Sequence, residues 1–555
     1  MSHSMAKRRK KSDYVQSIEI AEHEDGHSEA LIIPDDNYSD YPSSDSESDD
    51  FDKKQNSIPN VSYSKVLDSY DENQSKLEPD YIYSWKNGEY KYNNYPENEN
   101  LLPAKTIKFI RDSSLVELFE LFFSLELKNH IIDSTRENGY NLTMIDLDIF
   151  VGIIITSIFN QRKSQRDYWS NNLLLSCPII IATMARDKFL TIKSKIKFSK
   201  LEEQSLDDRA WRVRTILEIF KKNAQKFGYF STALSVDEMM VKFHGRTVLL
   251  QFMKDKPARF GIKMWGICSP DGYLFDCDIY CGKGSNIYST HNDVKLCKCA
   301  LGSRVVLMMV QKLLLSTSAK KITEYHLYFD NFFCNPDLMI HLKKIGLKAT
   351  GTVRRNRVNI ENEVDKKAAR GTVSVKHEEK SGLNFITVMN SKPVSILSTV
   401  VGVEPLSSTK RYSKESKSKI EIPFPMANKL YNKHMGGVDL HDGHCSNLML
   451  CLRAKKWTWA MFLRLIQSSL TNALVLHNLS SIEKKIGSKD IALAIAEKYL
   501  AKKTDERLKC HIKTSTKHRR NCVNFKKCSK RTTIMCIDCK DYFCGTCFDL
   551  NHNNY

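Results

Sequence analysis

The chain has 555 residues, which excludes a single ordinary domain, and 41% of them are hydrophobic, enough for a substantial buried core. Lys and Arg outnumber Asp and Glu by 84 to 65, a formal net charge of +19. The longest apolar run, Ile149 to Phe159, is too short to cross a bilayer and contains Thr156 and Ser157, so it reads as a buried helix and no membrane association is expected.

Charge divides the chain. From Ser12 through Asp52 there are fourteen acidic residues and no Lys or Arg, and residues 1–80 carry a net charge of −10. The remaining residues therefore carry +29, the excess expected of a polyanion binder. The basic cluster Lys7-Arg8-Arg9-Lys10-Lys11 is followed by no apolar run, so it suits a nuclear import signal rather than secretion, and a nuclear protein is expected. Residues 1–80, with Ser43-Ser44-Asp45-Ser46-Glu47-Ser48-Asp49-Asp50, are too polar to offset the entropy of ordering and predict a disordered acidic tail. Their Ser-acid pattern also fits acid-directed phosphorylation.

From Tyr81 to about Phe230 the periodicity is helical. Leu115, Leu118, Phe119 and Phe122 recur at spacings of three and four, and Ile145 to Phe159 and Arg212 to Phe227 continue the trend. Near Ser231 short apolar segments begin to alternate with turn signals, as in a sheet. Ser235 to Phe243 and Gly261 to Cys268 predict strands, Pro270-Asp271-Gly272 a tight turn, and Tyr273 to Cys281 an antiparallel return. Tyr325 to Phe329 predicts a strand, Asn335-Pro336 a helix start running through Leu342, and Ala349 to Val353 another strand. Arg354 to Pro425 is polar and β-prone and reads as an insertion. Helix resumes at Ala427, and Trp457 to Leu479 is an apolar helix. No G-x4-G-K-[ST] loop is present, so no nucleotide cofactor is expected.

Three aspartates have the context of hard-metal ligands. Asp237 lies within the apolar strand Leu234-Ser235-Val236-Asp237-Glu238-Met239-Met240, Asp330 ends its strand, and Asp439 follows Met435-Gly436-Gly437-Val438. Asp442 lies three residues on from Asp439, near enough in helical phase to reach one site. Carboxylates converging from distant positions suit Mg²⁺ or Mn²⁺ and phosphodiester chemistry. Each aspartate taken singly also fits a turn or a cap. Strand alternation sends Asp237 and Glu238 to opposite faces, and pattern does not choose between them.

Seven of the sixteen cysteines fall between Cys510 and Cys547. From Cys522 the chain reads Cys522-x5-Cys528-x7-Cys536-x2-Cys539-x4-Cys544-x2-Cys547-x4-His552, a spacing that suits two structural Zn²⁺ ions. Seven ligands are one short of two tetrahedral sites. His511 is the expected eighth, with Cys510 and His518 as competitors.

Several ordered segments resemble the piggyBac family of DNA transposases. These are Asp237-Glu238-Met239-Met240-Val241 with Phe243-His244-Gly245-Arg246, the stretch Lys256 to Lys263, and Asp330-Asn331-Phe332-Phe333 with Thr350-Gly351-Thr352-Val353-Arg354. Tyr431-Asn432 with Met435-Gly436-Gly437-Val438-Asp439 and then Lys455-Lys456-Trp457 completes the set. Upstream, Tyr168-Trp169 and Arg186-Asp187-Lys188-Phe189 fit as well, so the likeness runs from about Trp85 to the end. Departures stand at Cys334-Asn335, where the family often has Thr-Ser, at Gly443 in place of Gln, and at Ile386 to Asn390 in place of a Trp-containing strand.

The resemblance implies an α/β protein with an RNase H-like catalytic core, in which Asp237, Asp330 and Asp439, with Asp442 as a fourth carboxylate, hold catalytic Mg²⁺ or Mn²⁺. It implies a helical dimerisation and DNA-binding domain at 81–233 completed by 449–505, and a core at 234–354 and 427–448 interrupted by a β-rich insertion at 355–426. It further implies a cross-braced zinc domain at 510–555 that reads transposon-end DNA; by spacing alone a ubiquitin-ligating RING stays open. The implied reaction is nicking at transposon ends, hairpin formation and integration at TTAA by a homodimer on double-stranded DNA. A domesticated, non-cutting DNA or chromatin binder is the competing reading. Arg354, Arg355 and Arg357, then Arg453, Lys455 and Lys456, and Arg519 and Arg520 in the tail are the expected phosphate contacts. Trp457 and Trp459 could instead be core.

Overall fold

A computed structural model describes residues 77, 81–92, 98–253, 259–282, 300–413, 417–448, 452, 455–481, 485–507, 513–536 and 540–552. The acidic tail with its basic cluster, Arg453, Cys510, His511, Cys539 and the His552 side chain lie outside that description.

The first half is helical where the 3.6-residue periodicity demands it: α1 Ala104–Asp112, α2 Leu115–Glu120, α3 Leu125–Glu137, α4 Met144–Thr156, α5 Pro178–Thr183, α6 Arg186–Lys195 and α7 Trp211–Ala224. Starts are set locally. Ser114 and Glu117 form a reciprocal capping box at α2, and Ser124 and Thr143 accept from the first turns of α3 and α4. Helix α4 is buried continuously from Leu147 to Thr156, as a helix apolar on every side must be.

A ten-stranded mixed sheet follows. Its centre is β2 Ala233–Lys242, β4 Phe260–Cys268, β5 Leu274–Ile279, β6 His326–Phe329 and β7 Lys348–Thr352, with β3 Leu250–Phe252 on the outer edge of β4. Strands β2, β4 and β5 pair antiparallel in succession. Gly272, at φ +84°, makes the tight turn between β4 and β5, a conformation that favours glycine. Strand β6 then lies parallel to β2, and β7 parallel to β6. The order β5-β4-β2-β6-β7, three antiparallel strands followed by two parallel ones, is that of an RNase H-like core.

Helices α8 Leu301–Ser316 and α9 Ala319–Ile322 precede β6. Helix α10 Pro336–Lys344 connects β6 to β7, with Asn335 capping it and Pro336 at its first position. The β-prone stretch after Arg354 forms β8 Val373–Glu378, β9 Asn384–Met389 and β10 Pro393–Ser398. Rather than standing apart, these continue the main sheet: β10 pairs with β7, and the edge is closed by β1 Trp85–Asn87 on β8. The hairpin β11 Ser407–Ser413 and β12 Ser418–Phe424 forms a two-stranded sheet of its own.

Helices α11 Met426–His434, α12 Gly437–Asn447, α13 Trp457–Ser480 and α14 Ser488–Arg507 complete the main body. Helix α14 packs along α4, where Gly152 allows Tyr499 and Leu500 to approach closely. Helix α13 packs against α2 and α7 on one side and against β2 and α12 on the other. One continuous apolar core therefore runs from the N-terminal helices into the sheet. The tail consists of β13 Lys513–Asn521, α15 Phe525–Cys528, β14 Arg531–Cys536 and α16 Gly545–His552, with its own small core of cysteines and phenylalanines.

Buried Asn472 of α13 ties the two layers together. Its amide accepts from the Leu274 N–H at 2.9 Å and donates to the Leu274 carbonyl at 2.9 Å, satisfying the start of β5. Asn472→Leu leaves both backbone groups buried without partners, so unfolding should be easier by about 2–5 kcal/mol, read as a lowered denaturant midpoint at unchanged slope.

Candidate functional site

The parallel register decides what meets at the sheet's centre. Val236 pairs with Phe329, so the next positions, Asp237 and Asp330, stand level on neighbouring strands. Phe329 pairs with Gly351, so Thr352 stands level with Asp330 on the next strand. Asp237 is on the same face of β2 as Ser235 and Met239. Glu238 takes the opposite face and forms an ion pair with buried Lys263 at 3.2 Å, with the ammonium 4.1 Å from the Trp265 ring centroid. Glu238 is thus held on the face opposite Asp237.

The third aspartate lies on helix α12, which packs on β2. At Gly437, its first residue, a β-carbon would lie 2.2 Å from the Ser269 carbonyl oxygen and 2.6 Å from Ser235 Oγ. Only glycine fits, and the contact presses the helix start onto β2 two residues before Asp237. Val438, His441, Cys445 and Leu448 form the buried face, with His441 bonded to the Gly272 carbonyl and Ser468 Oγ. Asp439, in the first turn, is exposed, whereas Asp237 is buried and Asp330 half-buried. A carboxylate there also suits the positive end of the helix dipole.

Asp442 is held differently. Its Oδ1 accepts from Arg464 at 2.6 Å, and the same guanidinium nitrogen lies 3.4 Å from Met239 Sδ on the Asp237 face of β2. Arg464 is the one charged residue in the apolar helix α13. A lone guanidinium in so apolar a helix is itself a sign, readable in the sequence, of a buried acidic partner.

Beneath the aspartates a buried hydrogen-bond chain runs from Ser398 Oγ to Thr350 Oγ1 at 2.7 Å, on to His326 Nε2 at 2.8 Å, and from His326 Nδ1 to the Tyr328 hydroxyl at 3.0 Å. Burial holds His326 well below the usual histidine range, with His434 and Lys348 adding to the shift, so it is neutral. On the far side of Asp330, the Tyr431 hydroxyl lies 3.4 Å from Thr352 Oγ1. Burial raises the Tyr431 phenol well above its ordinary value; the Thr352 hydrogen bond opposes this, and the Asp330 and Asp237 charges add to it.

The expected phosphate contacts divide. Lys455 and Lys456 are exposed, as are His244 and Arg246, and a β-carbon at Gly245 would lie 2.9 Å from the Lys455 carbonyl, so the two loops adjoin. Arg355 is exposed and pairs with Glu363, and Arg354 donates to Asn331 Oδ1. Arg357 instead donates to the Asn331, Phe332 and Cys334 carbonyls and braces the loop after Asp330. Trp457 and Trp459 are buried, the core alternative.

In the tail, ligand atoms of Cys522, Cys528, Cys544 and Cys547 all lie within 4.8 Å of one another. A tetrahedral zinc–thiolate site has sulfur–sulfur edges of about 3.8 Å from its Zn–S length, so the cluster could hold a zinc ion. Its members are Cys522 with Cys528 and Cys544 with Cys547, and buried Cys536 is not among them. The Cys547 thiol is pushed up to about 12, first by hydrogen bonding to Cys544. Burial opposes ionisation of Cys522, but the Cys544 and Asn524 N–H groups lower it below the usual thiol range. Among the described residues this is the sole set of three or more ligand groups so close; the aspartates are spaced more widely. Arg519 and Arg520 are exposed on β13, with the Arg520 guanidinium 5.4 Å from the Tyr542 ring centroid.

Comparisons with known proteins agree with this geometry. Residues 114–474 match the family model described as Transposase IS4. The human "PiggyBac transposable element-derived protein 3" is 30% identical over 380 residues, covering 68% of this chain and 61% of that protein. The human "PiggyBac transposable element-derived protein 2" is 28% identical over 405 residues, covering 71% and 67%. The match thus spans under two thirds of the first relative's length. A cryo-EM structure of a piggyBac transposase synaptic complex with hairpin DNA shares the fold at a TM-score of 0.59 and 20% identity, covering 72% of this chain and 83% of that one.

Replacing Gly437 with Ala should displace the start of α12 from β2. The expected result is a lower thermal midpoint, whereas the same change at Gly436, which has nothing within 4 Å of a β-carbon, should leave it nearly unchanged.

Proposed function

We propose, for a chain that belongs to the Transposase IS4 family in its piggyBac branch, divalent-metal-dependent cleavage and transfer of DNA strands at transposon ends, with insertion at TTAA. The observation that carries this reading is the level placement of Asp237 and Asp330 on adjacent parallel strands. Adjacent strands are about 4.8 Å apart, so two like charges are forced together, and a cation between them is the natural compensation. The donors are all carboxylate oxygens, which suits Mg²⁺ or Mn²⁺ rather than a soft metal. Asp237, Asp330 and Asp439 would hold these ions, with Asp442 as the fourth carboxylate. Bound there, they would supply an activated nucleophile and neutralise charge on the leaving oxygen.

The chain's own groups provide the rest. Arg464 anchors Asp442 and so the pitch of α12. The Ser398–Thr350–His326–Tyr328 chain stiffens the strands under the carboxylates. Lys455, Lys456, His244 and Arg246 form an exposed basic ridge suited to DNA phosphates. In the tail, Zn²⁺ at the four-thiol cluster would fold a segment with too small a core of its own, and the exposed Arg519 and Arg520 would contact transposon-end DNA. A nuclear homodimer is part of this proposal.

The human relatives are described as transposable element-derived, which favours a second reading: a domesticated protein that binds DNA without cutting it. One assay separates the two. In excision of a TTAA-flanked element bearing this gene's own flanking ends, Asp330→Asn should lose at least about 10³-fold of cleavage, the scale of a lost metal ligand, with DNA binding kept. Excision by the variant equal to wild type sinks the metal-ligand role, and DNA binding without excision by the wild type supports domestication.

For the tail, Cys528→Ser should remove one zinc per chain by elemental analysis and weaken end-specific DNA binding. Undiminished zinc content would argue against the four-thiol site.

A further inference from the structure

We propose, resting on the cleavage reading above, that the Thr352–Tyr431 hydroxyl pair orients the target phosphodiester at the Asp237–Asp330 site: Tyr431 donates to a non-bridging phosphate oxygen, and Thr352 positions Tyr431. Three observations carry this. First, register continues across three parallel strands, so Asp237, Asp330 and Thr352 stand in one row at one level. Thr352 therefore borders Asp330 on the side away from Asp237, where a phosphate spanning the carboxylates would present an oxygen.

Second, this pair differs from the other hydroxyls on the face. Ser398, Thr350 and Tyr328 are fully buried and bonded into the chain with His326. Thr352 and Tyr431 are only half-buried. Their oxygens are 3.4 Å apart, well beyond the roughly 2.7–2.8 Å of a strong O–H···O bond, so a phosphate oxygen can draw a proton from this weak contact at little cost. As neutral donors, the hydroxyls can bind an anion without displacing cations from the neighbouring carboxylates.

Third, Tyr431 is mechanically coupled to the third aspartate. Its ring packs with Tyr328 and Met435, and its carbonyl accepts from the Met435 N–H at 2.9 Å. Met435 leads directly through Gly436 into the Gly437 contact and on to Asp439. One short segment thus carries both the Tyr431 hydroxyl and the Asp439 carboxylate.

The test is Mn²⁺-dependent nicking of a supercoiled plasmid carrying the DNA that flanks this gene, by the full-length protein. Tyr431→Phe should lower kcat by about 100-fold, the scale of one lost oxyanion donor, with KM for the plasmid within about twofold. Thr352→Val should lower kcat less, and Thr352→Ser should restore it. A thermal midpoint near that of the wild type excludes misfolding as the cause. If the wild type nicks and Tyr431→Phe nicks equally well, or if Thr352→Ser is no better than Thr352→Val, this assignment falls while the cleavage reading stands. If the wild type nicks nothing, the cleavage reading falls and takes this assignment with it.

Discussion

The parallel pairing of β2 with β6 sets Asp237 and Asp330 at one level, and most of the molecule can be understood as holding that pairing in place. Two carboxylates side by side on adjacent strands repel one another, and the strands that carry them are fixed by other means. On one face Lys263 pairs with Glu238 and lies over Trp265. On the other, a buried hydrogen-bond chain links three strands through Ser398, Thr350, His326 and Tyr328. A slip of β2 by one residue would send Asp237 to the Lys263 face and break the Glu238–Lys263 pair.

The helical layer contributes by close approach. Gly437 lets α12 touch Ser235 and Ser269, Asn472 of α13 satisfies both polar groups of Leu274, and Arg464 of the same helix grips Asp442. Because α12 packs on α13, and α13 packs on α2 and α7, the N-terminal helices and the sheet share one core. The third aspartate therefore inherits the stability of the whole helical layer rather than that of a short segment. The strands after Arg354 serve the same end from the other edge, since β10 pairs with β7 and contributes Ser398 to the buried chain.

The cysteine tail follows a different logic. Its core is a handful of residues, too few to order a segment of this length by apolar burial alone. Four sulfurs drawn together from Cys522, Cys528, Cys544 and Cys547 could hold a metal ion, whose ligand bonds would replace the missing apolar area. The β13–β14 ribbon beside them carries exposed arginines, so the order gained is of a surface suited to an anionic partner.

Much of this was legible in the residues. Most element types from Leu115 to Leu479 follow from periodicity and caps, because helical and strand burial impose different spacings on apolar side chains; helix α8, Leu301–Ser316, was not among the expected elements. The sequence also singled out Asp237 and Asp330, which the register sets level, and the four cysteines that cluster in the tail. Arg357 was less legible: a basic residue in a loop suggests phosphate, yet it braces three carbonyls of its own chain. Only the tertiary structure could decide that Asp237 stands level with Asp330 while Glu238 turns to Lys263, that Thr352 borders Asp330, that Arg464 holds Asp442, and that the β-prone stretch extends the main sheet. Each of these depends on pairing between segments far apart in the chain. Local sequence sets the period of a segment but says nothing about which partner it meets or in what register.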